Sequence, residues 1–280
     1  MKQRIITGAV GVAVLVIVLL LRNTLFFPIL VGLLSLIAVN EVMNVIGIKS
    51  KFVLCLSLLY AAVIPYVGSV GNGSNFKLLT IAYACILMIA LVVDTNRVTF
   101  KDIASSFVAT LFVSYAFSSL VFLRDIYKEA PEAYNEHYGF FFILLVLVAA
   151  WGSDTGAYFT GVFFGKHKLC PNISPKKTVE GLLGGLAMCA ILTTVMIAIF
   201  NACVDDLHID YLTYITVSLM LSIFGVFGDL CASVIKRNHN VKDFGHILPG
   251  HGGIMDRFDS VAMIAPVMYE MALLMAKLSV

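Results

Sequence analysis

Charged residues are scarce in this chain: they make up 13% of its 280 residues, whereas 60% are hydrophobic. The mean hydropathy of +0.96 excludes an ordinary soluble protein. The chain also lacks CxxC pairs, internal repeats and low-complexity segments. Without a CxxC pair, the six cysteines indicate neither a disulfide framework nor a metal knuckle, and we expect them to be small buried side chains.

The first apolar stretch lacks the small-x-small cleavage site of a secretory leader. It follows Met1-Lys-Gln-Arg4 and ends at Leu21-Arg22-Asn23, and another apolar run begins at once. We therefore interpret this stretch as a retained membrane span rather than a removed signal peptide.

Apolar runs recur along the whole chain, and a helix of about 20 apolar residues crosses a bilayer. We predict an all-α polytopic membrane protein with about nine transmembrane helices. It would form a single integral membrane domain over residues 1–280, with N-terminal spans in 1–138 and catalytic spans and cytoplasmic loops in 139–280. The nine spans are expected at 5–21, 25–40, 52–70, 78–93, 103–123, 139–164, 181–204, 211–235 and 260–276.

The distribution of Lys and Arg predicts the orientation of these spans. If successive spans cross the membrane in opposite directions, fourteen of the nineteen Lys and Arg residues lie on the same side of the membrane as the N-terminus. The N-terminus is therefore expected in the cytoplasm and the C-terminus outside. The two most basic loops, 165–180 and 236–258, would both face the cytoplasm.

Residues 233–259 gather cations, carboxylates and glycines within an otherwise apolar chain. At the start of this segment, Ser233 and Lys236 are spaced i+4 and i+7 from Asp229, so a helix places the three residues on one face. An interfacial helix end with a snorkelling lysine is the structural alternative. A carboxylate two turns inside a span is costly, however, and usually marks a functional site.

The segment Pro249-Gly250-His251-Gly252-Gly253 predicts a turn whose backbone can approach an anion closely. A helix starting near Ile254 would add the positive end of its dipole. Asp256 and Asp259 then share one face of its first turns, and together with Asp229 they favour one or two Mg²⁺ ions held beside a polyphosphate. The alternative is that these aspartates only complement the helix dipole.

In the loop 165–180, Ser174-Pro175 predicts a helix start with Ser174 as N-cap. Lys176 and Lys177 would then project from the first helical turn and bind phosphates. A basic loop that only sets topology or contacts anionic lipid is the alternative.

Three carboxylates lie in other apolar stretches. Asp154, in Trp151-Gly-Ser-Asp154-Thr155-Gly156-Ala-Tyr158, predicts a broken or closely packed helix that lines a polar cavity, with a structural role as an equal alternative. Glu41 is interpreted as interfacial, and Glu270 receives no role.

The pattern from Ser233 to Asp259 resembles the signature of phosphatidate cytidylyltransferases, also called CDP-diacylglycerol synthases. The matching positions are Ser233-x-Ile-Lys236-Arg237-x4-Lys242-Asp243-x-Gly245-x2-Leu248-Pro249-x-His251-Gly252-Gly253-Ile254-x-Asp256-Arg257-Phe258-Asp259. Phe164-Gly165-Lys166, the Asp154 segment and Ser174-Pro175-Lys176-Lys177-Thr178-x-Glu180-Gly181 are also similar to that family. The detailed resemblance covers residues 151–259.

This resemblance implies transfer of a cytidylyl group from CTP to phosphatidic acid with Mg²⁺, giving CDP-diacylglycerol and pyrophosphate. The expected partners are CTP, phosphatidic acid, the lipid bilayer and a second copy of the chain in a homodimer, with no nucleic acid. The expected location is the cell inner (plasma) membrane, with the site facing the cytoplasm. We predict catalytic roles for Asp229, Asp256, Asp259, Lys236 and His251, and metal ligation by the three aspartates. Substrate binding is expected of Lys176, Lys177, Thr178, Ser233, Arg237, Lys242, Gly252, Gly253, Arg257 and Asp154.

Two other classes of membrane protein use similar residues. A phosphotransferase acting on polyisoprenyl phosphate or CDP-alcohols shares the aspartate chemistry, but the DGxxAR…GxxxDxxxD pattern of the latter is absent. A transporter could use intramembrane Asp and Lys, but it would be expected to carry inverted repeats with paired broken helices.

Overall fold

The computed structural model describes residues 2–70, 73–205 and 207–279, and most of them are helical. The helices of this part of the chain are α1 (Lys2–Leu20), α2 (Phe26–Ile46), α3 (Lys51–Val70), α4 (Gly73–Val93), α5 (Phe100–Arg124), α6 (Ile126–Glu129), α7 (Glu136–Leu147), α8 (Ser153–Phe164), α9 (Val179–Cys203), α10 (Tyr211–Asn238) and α11 (Met255–Ser279). A π-helical turn, Val148–Gly152, joins α7 to α8, and two short strands, β1 (Lys168–Cys170) and β2 (Ser174–Thr178), precede α9.

Seven helical stretches of the described residues are long and apolar enough to cross a membrane. They are Phe26–Ile46, Asn75–Val93, Phe100–Arg124, Glu136–Phe164, Val179–Cys203, Tyr211–Asn238 and Met255–Leu278. The two other predicted spans coincide with α1 and α3, whose apolar parts, Val10–Leu20 and Lys51–Val67, are shorter. The chain is thus a mostly helical, multi-pass membrane protein. The count of nine spans and the orientation of the termini stay predictions.

Two compact units make up the chain. The first comprises Met1–Phe122 and Asn238–Phe258, and the second comprises Leu123–Arg237 and Asp259–Val280. The expectation of one membrane domain divided near residue 138 stays a prediction.

Small residues and aromatic rings hold the first unit together. α2 and α3 pack closely because Gly32 has no side chain, and a Cβ there would lie 2.6 Å from the Ala62 carbonyl oxygen. On the next interface, Tyr83 stacks on Tyr60 with ring centroids 4.6 Å apart, and its hydroxyl lies 2.8 Å from Ser57 Oγ. These contacts satisfy the polar tips of side chains that are otherwise surrounded by apolar groups.

In the second unit, glycines allow α8 and α9 to approach each other. A Cβ at Gly184 would overlap the Thr160 side chain, and one at Gly156 would overlap Met188. Small residues at such crossings are typical of membrane helices, where close van der Waals packing replaces hydrophobic burial as the driving force. The α8–α9 pair is therefore a rigid platform for the segment that connects its two helices.

That connecting segment corrects the prediction for the loop 165–180. β1 and β2 form an antiparallel hairpin, and the helix begins at Val179, with Thr178 rather than Ser174 as its N-cap. The Thr178 hydroxyl accepts a hydrogen bond from Gly181 N at 3.1 Å. Glu180 also accepts hydrogen bonds from the backbone N–H groups of Lys166 and His167, which anchors the start of the hairpin. Lys176 and Lys177 therefore extend from a strand, not from a helical turn.

The prediction of buried cysteines is also wrong for most positions. Cys189 is buried, whereas Cys55, Cys85, Cys203 and Cys231 are exposed. In a chain whose outer surface faces lipid, an apolar run does not indicate burial inside the protein, so small apolar side chains can lie on either side of a helix.

Candidate active site

In the first unit, the segment between α10 and α11 folds into a tight turn that depends on glycine. Gly250 and Gly252 have φ angles of 78° and 84°, in the left-handed region that other residues rarely adopt. Leu248 N donates to the Gly252 carbonyl at 2.9 Å, and His251 N donates to the Leu248 carbonyl at 2.9 Å. The turn therefore closes on itself before α11 begins.

Glu41 of α2 holds the start of α11. Its carboxylate is buried, with the residue 3% exposed, and accepts hydrogen bonds from Ile254 N at 3.0 Å and Met255 N at 2.9 Å. These N–H groups belong to the helix N-terminus, where no intrahelical partner exists. Gly245 and Gly253 pack so tightly on this carboxylate that a Cβ at either position would overlap it. The interfacial interpretation of Glu41 is therefore wrong.

Asp256 holds the same turn from its other side. Its Oδ2 accepts hydrogen bonds from Phe244 N at 2.7 Å and from Gly253 N at 3.0 Å. Arg257 donates from Nε to the His251 carbonyl at 2.7 Å. Asp256, predicted as a metal ligand, thus has one oxygen committed to backbone donors in this structure.

A polar cavity of about 520 Å³ opens beside the turn. Lys242 and Arg257 bring cations to its wall, and Gly250 and Gly252 bring backbone. His251 also lines it, and its Nδ1 is buried without a hydrogen-bond partner among the described residues. A buried ring nitrogen without a partner is costly, so its position at a cavity points to a polar ligand.

The second unit brings three carboxylates into one electrostatic group. The charges of Asp154 and Asp229 both act on Asp259, and Lys236 acts on it with the opposite sign. Asp229 Oδ2 lies 2.5 Å from Lys177 Nζ in a partly buried ion pair. Repulsion among three carboxylates in a low-dielectric region requires nearby positive charge, which the two lysines supply here.

Close packing of α10 and α11 brings Asp229 near Asp259. Gly228, the residue before Asp229, has no Cβ, and one placed there would lie 2.7 Å from the Asp259 carbonyl oxygen. Ser260, the residue after Asp259, donates its hydroxyl to Asp154 Oδ2 at 3.4 Å. Asp229, Ser233 and Lys236 all lie in α10, so the helix that their spacing predicts is present.

Asp154 is the second residue of α8, which begins directly after the π-helical turn Val148–Gly152. The predicted break in this span is thus a change of helix type rather than an interruption, and the span runs continuously over Glu136–Phe164. Single π turns inside α-helices are frequent at functional sites because they insert one residue and re-aim those that follow.

The hairpin places its lysines at a second cavity, of about 400 Å³, within the second unit. Lys168, Lys176 and Lys177 contribute to its lining, together with Asp154 and Thr178. Thr178 is predicted to bind substrate, but its hydroxyl already serves as the N-cap of α9. Thr178 therefore lines the cavity as the N-cap of α9.

Within residues 2–70, 73–205 and 207–279, no three His, Cys, Asp or Glu side chains converge closely enough to hold a metal ion as they stand. The donor set of the second unit nevertheless suits Mg²⁺, because it is made of carboxylate oxygens only. The mutual repulsion of its carboxylates is an electrostatic reason for a cation there. The predicted ligands Asp229, Asp256 and Asp259 therefore stay a prediction.

The predicted residues divide between the two units. The second contains Asp154, Lys176, Lys177, Thr178, Asp229, Ser233, Lys236, Arg237 and Asp259, and the first contains Lys242, His251, Gly252, Gly253, Asp256 and Arg257. Ser233 is half-buried on α10, and Arg237 is exposed at the end of that helix. The structure adds Glu41, Lys168 and Ser260, which sequence reasoning did not select. Glu41 had a signal as a carboxylate within an apolar run, and Lys168 lies in the basic loop 165–180.

Known proteins resemble this chain over nearly its whole length. The model of the Cytidylyltransferase family matches residues 2–275. A phosphatidate cytidylyltransferase of Bacillus subtilis (strain 168) is 34% identical over 274 residues, covering 96% of each chain. Proteins of the same name from Staphylococcus haemolyticus and Staphylococcus saprophyticus are 36% identical, covering 96% of this chain and 97% of theirs. The similarity thus extends beyond residues 151–259 into the N-terminal spans, and the chain belongs to the cytidylyltransferase family.

Proposed function

We propose that this chain transfers the cytidylyl group of CTP to phosphatidic acid. An oxygen of the lipid phosphate attacks the α-phosphorus of CTP, and the bond from that phosphorus to the β-phosphate oxygen breaks. CDP-diacylglycerol forms, and pyrophosphate leaves. The observation that carries the proposal is the grouping of Asp154, Asp229 and Asp259 with Lys177 and Lys236 in a chain of this family.

The attacking oxygen is already anionic, so no side chain has to activate it. The main barrier is the repulsion between two phosphates that must approach, and the protein lowers it by positioning them and offsetting their charge. Lys176, Lys177 and Lys236 of the second unit supply fixed positive charge for this purpose. Lys177 is held by Asp229 before substrate binds, which keeps its ammonium group in place.

The first unit supports a nucleotide phosphate site. Gly250 and Gly252 line its cavity, and without side chains they let the backbone approach an anion closely. Lys242 and Arg257 add cations at the same cavity. His251, whose Nδ1 is buried without a partner in the described structure, serves as a hydrogen-bonding group for a phosphate or for the ribose.

Mg²⁺ is the metal that the carboxylate donors of the second unit favour. When bound, it would neutralise phosphate charge and help pyrophosphate leave. Asp229 and Asp259 are the proposed ligands in this unit; metal ligation by Asp256, which belongs to the first unit, stays a prediction. Since Asp229 is paired with Lys177, metal binding there would release this lysine for phosphate.

The proposed site faces the cytoplasm of a bacterial plasma membrane, where CTP is available. The excess of Lys and Arg in the segments expected on the same side of the membrane as the N-terminus supports this orientation. A homodimer stays a prediction.

The test is release of pyrophosphate by purified protein in mixed micelles containing dioleoyl phosphatidate, CTP and Mg²⁺. We expect release only when both substrates are present, together with a lipid product carrying the cytidine. Omission of phosphatidate detects simple CTP hydrolysis, and replacement by a polyisoprenyl phosphate tests the related phosphotransferase reaction. An intact, folded preparation that releases no pyrophosphate from CTP and phosphatidate would exclude the proposal.

A further inference from the structure

The polar cavity of about 520 Å³ in the first unit has one carboxylate on its wall among the described residues. This carboxylate belongs to Asp243, and the basic side chains of the same wall are Lys242, His246, His251 and Arg257. Basic side chains suit the oxygens of a polyphosphate, whereas a carboxylate repels them. Asp243 is therefore suited to a different part of a nucleotide, one that donates hydrogen bonds.

The Asp243 carboxylate is available to a ligand. The residue is half-buried, and no hydrogen bond or ion pair engages its side chain within residues 2–70, 73–205 and 207–279. Glu41 and Asp256 differ from it, because both accept hydrogen bonds from backbone N–H groups. A partly buried carboxylate that lacks a partner gains from a ligand that brings a donor.

The backbone next to Asp243 is held firmly in place. Phe244 N donates to Asp256 Oδ2 at 2.7 Å, and the Phe244 side chain is buried. Gly245 packs so closely on Glu41 that a Cβ would overlap the carboxylate. Asp243 therefore extends from a fixed segment, and an acceptor in a fixed position can discriminate between ligands that differ by one group.

A transferase that uses CTP has to distinguish it from UTP, and the two nucleotides differ at the base alone. Cytosine carries an amine donor at position 4, whereas uracil carries a carbonyl acceptor there. An ionised carboxylate only accepts hydrogen bonds, so it binds the amine and repels the carbonyl oxygen. The ribose and the triphosphate are the same in both nucleotides, so contacts with them cannot select CTP.

We propose that Asp243 selects the base of the nucleotide. Its carboxylate accepts a hydrogen bond from the exocyclic amine of cytosine, while Lys242 and Arg257 contact the triphosphate at the same cavity. This assignment rests on the proposed function and adds the residue that determines nucleotide specificity. The volume lies within the range of small-molecule sites, about 300–1,000 Å³, so one cavity can hold the base together with charged groups.

The test compares CTP with UTP in the wild-type protein and in Asp243→Asn. Asn keeps the shape of the side chain, but its amide can donate to the carbonyl oxygen of uracil. We expect the ratio of kcat/KM for CTP to kcat/KM for UTP to fall about tenfold or more in this variant. An unchanged ratio would overturn the assignment, and so would equal use of CTP and UTP by the wild-type protein.

The adjacent residue provides a matched control. Lys242→Met removes a proposed phosphate contact, so it should lower kcat/KM for CTP and UTP by the same factor and leave their ratio within about twofold of wild type. A contact between Asp243 and the ribose would give a different result. Asp243→Asn would then alter the ratio of CTP to dCTP and not the ratio of CTP to UTP, which would exclude the role in base selection.

A measurement on the wild-type protein covers the case in which Asp243→Asn does not fold. A CTP analogue with a diazirine attached through N4 keeps one N–H at that position, and we expect it to crosslink within residues 242–246. Excess CTP should prevent this crosslink. Crosslinks confined to other segments would overturn the assignment. A wild-type protein that releases no pyrophosphate from CTP and phosphatidate would instead reject the proposed function, so the two failures are distinguishable.

Discussion

The two units use the same chemical group in different ways. In the first unit, the carboxylates of Glu41 and Asp256 accept hydrogen bonds from backbone N–H groups and fix the shape of a turn. In the second, Asp229 faces an ammonium group, and Asp154 and Asp259 lie within its electrostatic reach. A carboxylate bound to backbone is part of the scaffold, whereas one paired with a lysine side chain can exchange that partner for a metal or a substrate.

The largest effect is expected where a carboxylate of the second unit loses its charge. Asp259→Asn should lower kcat by about 10²–10³-fold, as is typical when one electrostatic partner of a charged transition state is removed. Asp229→Asn should behave similarly. Pyrophosphate release measures the effect. Asp210→Asn is the matched control, because Asp210 Oδ2 accepts a hydrogen bond from Thr213 N at 2.7 Å at the start of α10 and Asn can accept the same bond. Turnover near the wild-type rate in Asp259→Asn would show that this unit does not carry the chemistry.

A smaller loss is expected when the scaffold carboxylate is removed. Glu41→Ala leaves the N–H groups of Ile254 and Met255 without their acceptor, and we expect activity to fall about 10–100-fold. Glu41→Gln, which keeps one side-chain oxygen, should recover part of the loss. Because Glu41 shapes the proposed nucleotide turn, the KM for CTP should rise more than the KM for phosphatidate. Equal changes in both constants would indicate a general loss of folding, which the melting temperature would show.

The close packing of Gly253 on the Glu41 carboxylate gives a third test. In Gly253→Ala the new Cβ would overlap the Glu41 carboxylate, so we expect about a tenfold loss of activity and a lower melting temperature. Gly11→Ala is the control, because a Cβ at Gly11 has no atom within 4 Å. If both variants behaved like the wild type, the turn would not depend on its contact with Glu41.

The smallest effect is expected at Lys277, close to the C-terminus. This residue is exposed, and the charge distribution predicts that it lies on the outer side of the membrane. Lys277→Ala should therefore leave kcat and both KM values within about twofold of wild type. A large loss would contradict the predicted orientation of the last span.

Local periodicity accounts for what the sequence predicts well. The helical spacing of Asp229, Ser233 and Lys236, and the start of the last helix beside Ile254, follow from rules that act within a few residues. The hairpin did not follow from such rules. Ser174-Pro175 has the sequence of a helix start, but in the structure Thr178 caps the helix and Glu180 fixes the hairpin through Lys166 and His167.

The contacts of Glu41 could not be predicted from spacing at all. Its partners Ile254 and Met255 are 213 and 214 residues away along the chain. A carboxylate near the end of an apolar run is equally compatible with the membrane interface and with a buried acceptor. Only the packing of α2 against the turn distinguishes these alternatives.

The π-helical turn Val148–Gly152 determines in which direction the side chains of α8 face. Each residue of an α-helix advances the chain by about 100°, and the wider π-helical turn absorbs one extra residue without that advance. If the same residues were wound as regular α-helix, Ser153–Phe164 would be rotated by about that angle and Asp154 would turn away from Ser260. The extra residue is therefore a fixed insertion that aims a carboxylate, and the length of this span is as constrained as its composition.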